Sequence, residues 1–341
     1  MKVWPLLLLG VLAFMPSLSS VPSQSQFIQF GTYYGDSDNR EVRSTDWSRF
    51  DIMILHPGNP ETDYRNLEDN AFLIMAQSMK DSGVELYFYL DIGCEKEPGG
   101  VYYSQSDRKE WLDFKKRQIR LFVRYADGIF FDCVGTRYNT HPQFGKDVQE
   151  LVDYVHYSGG TVIVSDLFEI MEWVKRGDGD LFPYEADYLL LKGAWSMTPD
   201  QYSDDFNPLE AISFAHTHGL KVLGLNYGAE DDEARIMFCY CASRIFGLEG
   251  FSYAWKDAYE GLCSVDIPLN LGAPLEKAIY ENGRYSRDFE RGTVFVDFST
   301  HRGWVEGEAA PRKTGVSGIL VVMGGLLLLY VKKLRNSADS S

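Results

Sequence analysis

Ala126-Asp127-Gly128-Ile129-Phe130-Phe131-Asp132 is a short apolar run that ends on a carboxylate, with Gly135 and Tyr138 close behind. An unbroken run of this kind suits a strand covered on both faces by helices. In a barrel of parallel strands, a polar residue at the strand's C-terminal tip points into the mouth where catalysis takes place. Asp132 also reads as a helix N-cap or turn former, since aspartate is common at both. The rest of the chain decides between these.

Seven further β-rich runs recur along the sequence: 26–34, 51–55, 85–91, 161–166, 187–192, 221–227 and 250–255. Helical stripes fall between most of them, such as Phe72, Met75, Ala76 and Met79, then Val148, Leu151, Val152 and Val155. Glycines at 83, 159, 160, 219 and 247 stand where helix gives way to strand. Spacings of roughly 25 to 45 residues are those of strand–loop–helix units, so the pattern predicts an α/β fold, a (β/α)8 TIM barrel. The first helix is weak, with barely a turn at 46–50. A closing helix is expected over 274–282, followed by two short strands within 287–298.

The two ends address the chain to a membrane. Lys2, the apolar run 3–15 and the small residues after Pro16 outline a signal peptide over 1–20. Residues 316–331 are almost wholly apolar and are followed by Lys332, Lys333 and Arg335, the mark of a cytoplasmic flank. The expected organisation is a signal peptide over 1–20, one barrel with a C-terminal β extension over 25–303, and a short linker over 304–314. A transmembrane helix over 315–331 and a basic cytoplasmic tail over 332–341 complete it. A single-pass cell-membrane protein with an extracellular barrel follows as an expectation. A processed sorting tail would look similar.

Composition excludes some classes. At 45% hydrophobic and 14% aromatic the 341-residue chain is too apolar for disorder, and a formal charge of −16 disfavours nucleic acid as a partner. The five cysteines (94, 133, 239, 241 and 263) do not form a disulfide framework, although a Cys94–Cys133 bridge between neighbouring strand ends is geometrically open. No metal-ligand spacing appears, and no cofactor is expected.

Strand tips supply the candidate site. In order they carry Tyr33, Tyr34 and Asp36; His56; Asp91 and Glu95; Asp132; Asp166; Lys192 and Trp195; Asn226 and Tyr227; Tyr253 and Trp255. Carboxylate pairs serve acid/base and nucleophilic work on acetals, and flat aromatic faces cover sugar rings. Each also has a plainer reading: aromatics as core, His56 as a loop residue, Asp166 as the cap of a helix over 167–175, Lys192 as a salt-bridge partner of Asp166.

Leu55-His-Pro-Gly-Asn-Pro60, Tyr89-Leu-Asp-Ile-Gly93 and Asp127-Gly-Ile-Phe-Phe-Asp132, in that order, resemble the spherulin-like family and the related endo-α-1,4-polygalactosaminidase-type glycoside hydrolases. The segment Arg287-x-Phe-x-x-Gly-x-Val-x-Val296 resembles the end of extracellular glycosidase-like barrels. The resemblance spans about residues 27 to 298. It implies a secreted barrel acting on a polysaccharide, possibly rich in galactosamine, with Asp132 at the catalytic position of strand four. Those hydrolases tend to carry Asn at the end of strand five and Glu at the end of strand six; here Asp166 and Lys192 stand there.

The reading that follows makes Asp132 the nucleophile or base and Asp91 or Asp166 the acid. Trp195, Tyr253 and Trp255 serve as sugar platforms, and Tyr34, His56, Glu95, Lys192 and Asn226 as further substrate contacts. Carboxyls about 5 Å apart favour retention of configuration and a gap of about 6.5–9.5 Å favours inversion. Two other readings stay open: a non-catalytic carbohydrate-binding surface barrel, and a lyase using Lys192 as a Schiff base.

Overall fold

The computed structural model describes residues 27–33, 45–56, 70–92, 105–134, 143–175, 185–198, 201–203, 208–229, 231–255, 267 and 270–307. Eight parallel strands close into a barrel: β1 (Ile28–Tyr33), β2 (Ile52–Leu55), β3 (Glu85–Asp91), β4 (Gly128–Asp132), β5 (Thr161–Val164), β6 (Tyr188–Lys192), β9 (Lys221–Gly228) and β10 (Gly250–Trp255). The order is β1-β10-β9-β6-β5-β4-β3-β2, so each strand pairs with its neighbour in sequence except where the short hairpin β7 (Ser196–Thr198) and β8 (Gln201–Tyr202) intervenes. All eight expected strands are present. The hairpin was not anticipated.

Six helices flank the barrel among the described residues: α1 (Asn70–Asp81), α2 (Gln105–Phe122), α3 (Phe144–Tyr157), α4 (Leu167–Lys175), α5 (Pro208–Thr217) and α6 (Glu233–Ile245). The weak first helix is a single 3-10 turn, Trp47–Arg49, with Asp46 accepting from the Ser48 amide at its start.

The pleat sorts the strand residues into two cores. Phe30, Ile52, Ile54, Tyr87, Phe130, Ile163, Leu190, Leu223, Leu225 and Ala254 fill the barrel interior. Alternate residues such as Leu86, Phe88, Ile129, Phe131, Val162, Val164, Leu189 and Val222 face the helices. This two-sided burial explains why the strands read as continuous apolar runs.

A repeat invisible in the sequence emerges at the barrel's lower rim. The residue before every second strand is an acid that accepts from the amide of the preceding strand. Asp51 accepts from Gln29 (2.8 Å), Asp127 from Leu86 (3.0 Å), Asp187 from Val162 (2.7 Å) and Glu249 from Val222 (2.6 Å). Three of the four also face a base from the last turn of a helix: Lys80–Asp127 at 3.0 Å, His156–Asp187 at 2.9 Å and His216–Glu249 at 3.8 Å. Four quarter-barrels therefore share one stitch, at the face where a barrel of this class keeps its stability residues.

The C-terminal region differs from expectation. Residues 274–282 do not form a helix. Instead β11 (Ile279–Glu281), β12 (Arg284–Phe289), β13 (Gly292–Asp297) and β14 (Arg302–Glu306) make an antiparallel sheet. The reason is local: Asn282-Gly283 joins Glu281 to Arg284 with both central φ angles positive, at 52° and 81°, the two-residue hairpin that an Asn-Gly pair encodes. The two expected strands of 287–298 correspond to β12 and β13. The sheet lies on α6, and Gly303 permits the closest approach, since a Cβ there would sit 2.7 Å from the Met237 carbonyl oxygen.

Of the termini, residues 1–26 and 308–341 lie outside the described residues, and with them the expected signal peptide, membrane helix and tail; the linker expected over 304–314 is corrected at its start, where 304–306 belong to β14 and pair with β13. Among the described residues no helix is long and apolar enough to cross a membrane.

Candidate active site

Asp132 closes β4 and is 4% exposed. The alternation that sends Phe130 into the barrel sends Asp132 into its mouth. Lys192, two residues after the interior Leu190, reaches the same place from β6. Its Nζ donates to Asp132 Oδ1 and lies 3.4 Å from Asp166 Oδ1, so one ammonium bridges two carboxylates. Asp91 pairs directly with Asp132 in the β3–β4 register, and the buried Lys115 donates to the Asp91 carbonyl at 2.5 Å.

Backbone strain is concentrated here. Four non-glycine residues have positive φ among the described residues, and two of them stand just past barrel strands: Cys133 (57°) directly after β4 and Asp166 (64°) two residues after the end of β5. Left-handed backbone at a non-glycine residue is uncommon, and such outliers gather at functional sites. Cys133 is disulfide-bonded, with its partner outside the described residues, whereas Cys239 and Cys241 are free and buried. Asp166 also stands at the start of α4, where its carbonyl accepts from Ile170 (3.1 Å).

His56 follows β2 and packs on Tyr89, their ring centroids 4.7 Å apart, and Tyr89 leans on Phe130. Burial pushes the His56 imidazole down to about 4, only partly countered by the negative charge of Asp132. It is therefore a neutral ring at neutral pH. Tyr227 of β9 completes the upper edge of the interior core. The hydroxyls of Thr32 and Ser165 are buried without a hydrogen-bond partner among the described residues, a local rule broken in the same layer.

One residue escaped the sequence reading. Glu169 lies one turn into α4 after Asp166. Although the residue is exposed, the protein crowded around its carboxyl and the charge of Asp166 push its pKa upward, with Lys192 opposing. The available signal was the i, i+3 spacing of two acids across a strand end and the first helical turn.

Three expected contacts are corrected by their burial. Trp195 is 2% exposed: it lies past the end of β6, shares the outward parity of Leu191, and its indole packs outside the barrel on Phe246 and Phe298. Its Nε1 donates to Ser243 (3.0 Å) and its amide donates to Asn226 Oδ1 (2.9 Å). Asn226 is fully buried in that role. Tyr253, 1% exposed, points outward by the same pleat parity and donates to the Ala229 carbonyl (3.3 Å). None of the three offers a face to a sugar. Trp255 ends β10, with its side chain outside the described residues, and so are Tyr34, Asp36 and Glu95.

The expected Asp132, Asp166 and Lys192 thus come together, with His56 and Asp91 at the same mouth. Among the described residues no cluster has the makings of a metal site.

No protein-family model matches the chain, and no curated protein matches it. Solved structures do. A family 39 glycoside hydrolase from the gut symbiont Bacteroides cellulosilyticus WH2 aligns with a TM-score of 0.50 at 9% identity, over 81% of this chain and 71% of its own. The glycoside hydrolase domain of PelA from Pseudomonas aeruginosa aligns at 0.47 and 14% identity, over 70% of this chain and 99% of its own. A fungal β-1,4-galactanase structure aligns at 0.48 and 8% identity, over 67% and 88%. At such identities the likeness is one of fold, that of a TIM barrel.

Proposed function

We propose that this barrel is a glycoside hydrolase acting on a polysaccharide. The observation that carries the reading is the buried Asp132 carboxylate at the tip of β4, held by Lys192 beside a second carboxylate. Asp132 serves as nucleophile or base, its carboxylate held in place by the Lys192 ammonium. Asp166 lies against the same ammonium, at 3.4 Å. Glu169, whose carboxyl is pushed upward, is the better acid. Tyr89, Tyr227 and neutral His56 belong to the same rim, on the strands to either side.

Asp91, Asp132 and Asp166 together outweigh Lys192, so the mouth favours a cationic chain such as a partly deacetylated galactosamine polymer. The apolar run at 315–331 and the leader at 1–20 support anchoring of the barrel outside a cell membrane. The test is release of reducing ends from galactosaminan, chitosan and galactan by the wild-type chain and by Asp132→Asn. Turnover unchanged in the variant refutes the assignment.

A second reading, a non-catalytic carbohydrate-binding barrel, is favoured by one observation: both candidate carboxylates are already engaged by Lys192. Binding without hydrolysis across the same polymers selects it. The lyase reading fares worse, because an ammonium held between two carboxylates is a poor nucleophile.

A further inference from the structure

At the end of the barrel opposite Asp132, a cavity of about 420 Å³ opens between the lower rim and the C-terminal sheet. Tyr188 and Lys221, which begin β6 and β9, line one side, and Arg244 of α6, Arg287 of β12 and Phe289 line the other. Its size falls within the usual range of small-molecule sites.

The cations are unusually placed. Arg244 is 6% exposed, and its guanidinium is sandwiched between Phe27 (4.4 Å) and Phe289 (4.5 Å). Among the described residues its one polar acceptor is the Gly272 carbonyl, reached by Nη2 at 3.0 Å, which leaves Nε and Nη1 without one. Arg287 donates to the carbonyls of Glu276, Arg244 and Ile245, and its Nη2 has no acceptor among the described residues. Lys221 Nζ rests over the Tyr188 ring at 5.1 Å. No carboxylate of the described residues lies within ion-pair distance of any of the three, in a chain of formal charge −16.

A buried cation without a counter-charge is costly, and natural chains rarely keep one without use. Burial pushes both guanidinium groups downward, and at Arg244 the charge of Arg287 acts in the same direction. Two acids border the cavity but are turned to other work. Glu249 accepts the Val222 amide (2.6 Å) and faces His216, and the Glu290 side chain lies against Gly272. Glu85, further along the rim, is in the field of Lys221. Part of the Arg287 role is structural, since it caps the last carbonyls of α6. That role leaves Nη2, and the whole of Lys221, to face the cavity.

We propose that this lower cavity is a binding site for a small organic oxyanion, a phosphate or carboxylate group held by Lys221, Arg244 and Arg287. Planar guanidinium groups suit both anions, and the aromatic walls suit a ring attached to either.

Calorimetric titration of the full chain tests it, with inorganic phosphate, glucose 6-phosphate, glucuronate and, as neutral control, glucose. Binding of at least one anion is expected, weakened roughly ten-fold or more in Lys221→Ala and in Arg287→Gln and lost at high salt. Asp132→Asn should bind the anion as the wild type does, which separates this cavity from the mouth whatever becomes of the hydrolase reading. The ranking of glucose 6-phosphate against glucuronate tells phosphate from carboxylate. Circular dichroism checks that Arg287→Gln folds; Lys221 is exposed at the start of its strand, so its variant keeps the test valid if the other does not fold. Absence of binding by every anion up to about 10 mM, or equal affinity in the folded variants, overturns the proposal.

Discussion

Lys192 of β6 reaches past β5 to bind Asp132 of β4, and touches Asp166 on the way. A strand-six position where the resembling hydrolases tend to place a carboxylate therefore holds its opposite. The consequence is a mouth whose central carboxylate is fixed in place by an ion pair. That is preorganisation, provided a separate group supplies the proton.

Replacing Lys192 by Met should remove the compensation of a nearly buried carboxylate. The expected cost is about 3–5 kcal/mol of stability, much of it recovered in the Lys192→Met, Asp132→Asn double variant. Denaturant melts of the two variants measure this coupling. An additive double variant would mean that the pair is not coupled.

Glu169→Gln should lower kcat by roughly 10²–10⁴ on substrates with poor leaving groups and remove the alkaline limb of the pH–rate profile. Substrates with good leaving groups, which need no proton, should be spared. A profile that keeps its alkaline limb assigns the acid elsewhere, to Asp91 or Asp166.

His56 links folding to acidity. Its folded pKa of about 4 lies below the usual 6.5, so the unfolded chain takes up a proton first as pH falls. Stability contributed by this group is complete above about 6.5 and declines as pH drops towards 4, by up to roughly 2–3 kcal/mol. Thermal melts across that window should show a shallower decline in His56→Gln.

The lower-rim stitch predicts damage without loss of chemistry. Asp187→Ala strips the acceptor from the Val162 amide and should cost about 1–3 kcal/mol, a few degrees in Tm. Specific activity of the folded fraction is expected to be unchanged. A selective loss of activity would place Asp187 in the site.

An acidic mouth should also make binding of chitosan-like oligosaccharides fall as ionic strength rises, with neutral galactan chains indifferent. Equal salt response for both polymers removes the electrostatic reason for a cationic substrate.

Periodicity alone determined the eight strands and the helices between them, because two-sided burial leaves an uninterrupted apolar run that nothing else in the chain resembles. It also placed Asp132, Asp166 and Lys192 at strand tips, and so at one rim. Tertiary structure alone decided which tips face inward. Trp195, Asn226 and Tyr253 are all buried away from the bowl, on the side of the pleat that faces the outer core. Partners across strands were equally hidden: the Lys192 bridge, the rise in the Glu169 carboxyl, the four-fold acid stitch and the cationic cavity all join residues far apart in sequence. Side-chain direction and long-range charge are properties of the closed ring, and a linear pattern carries neither.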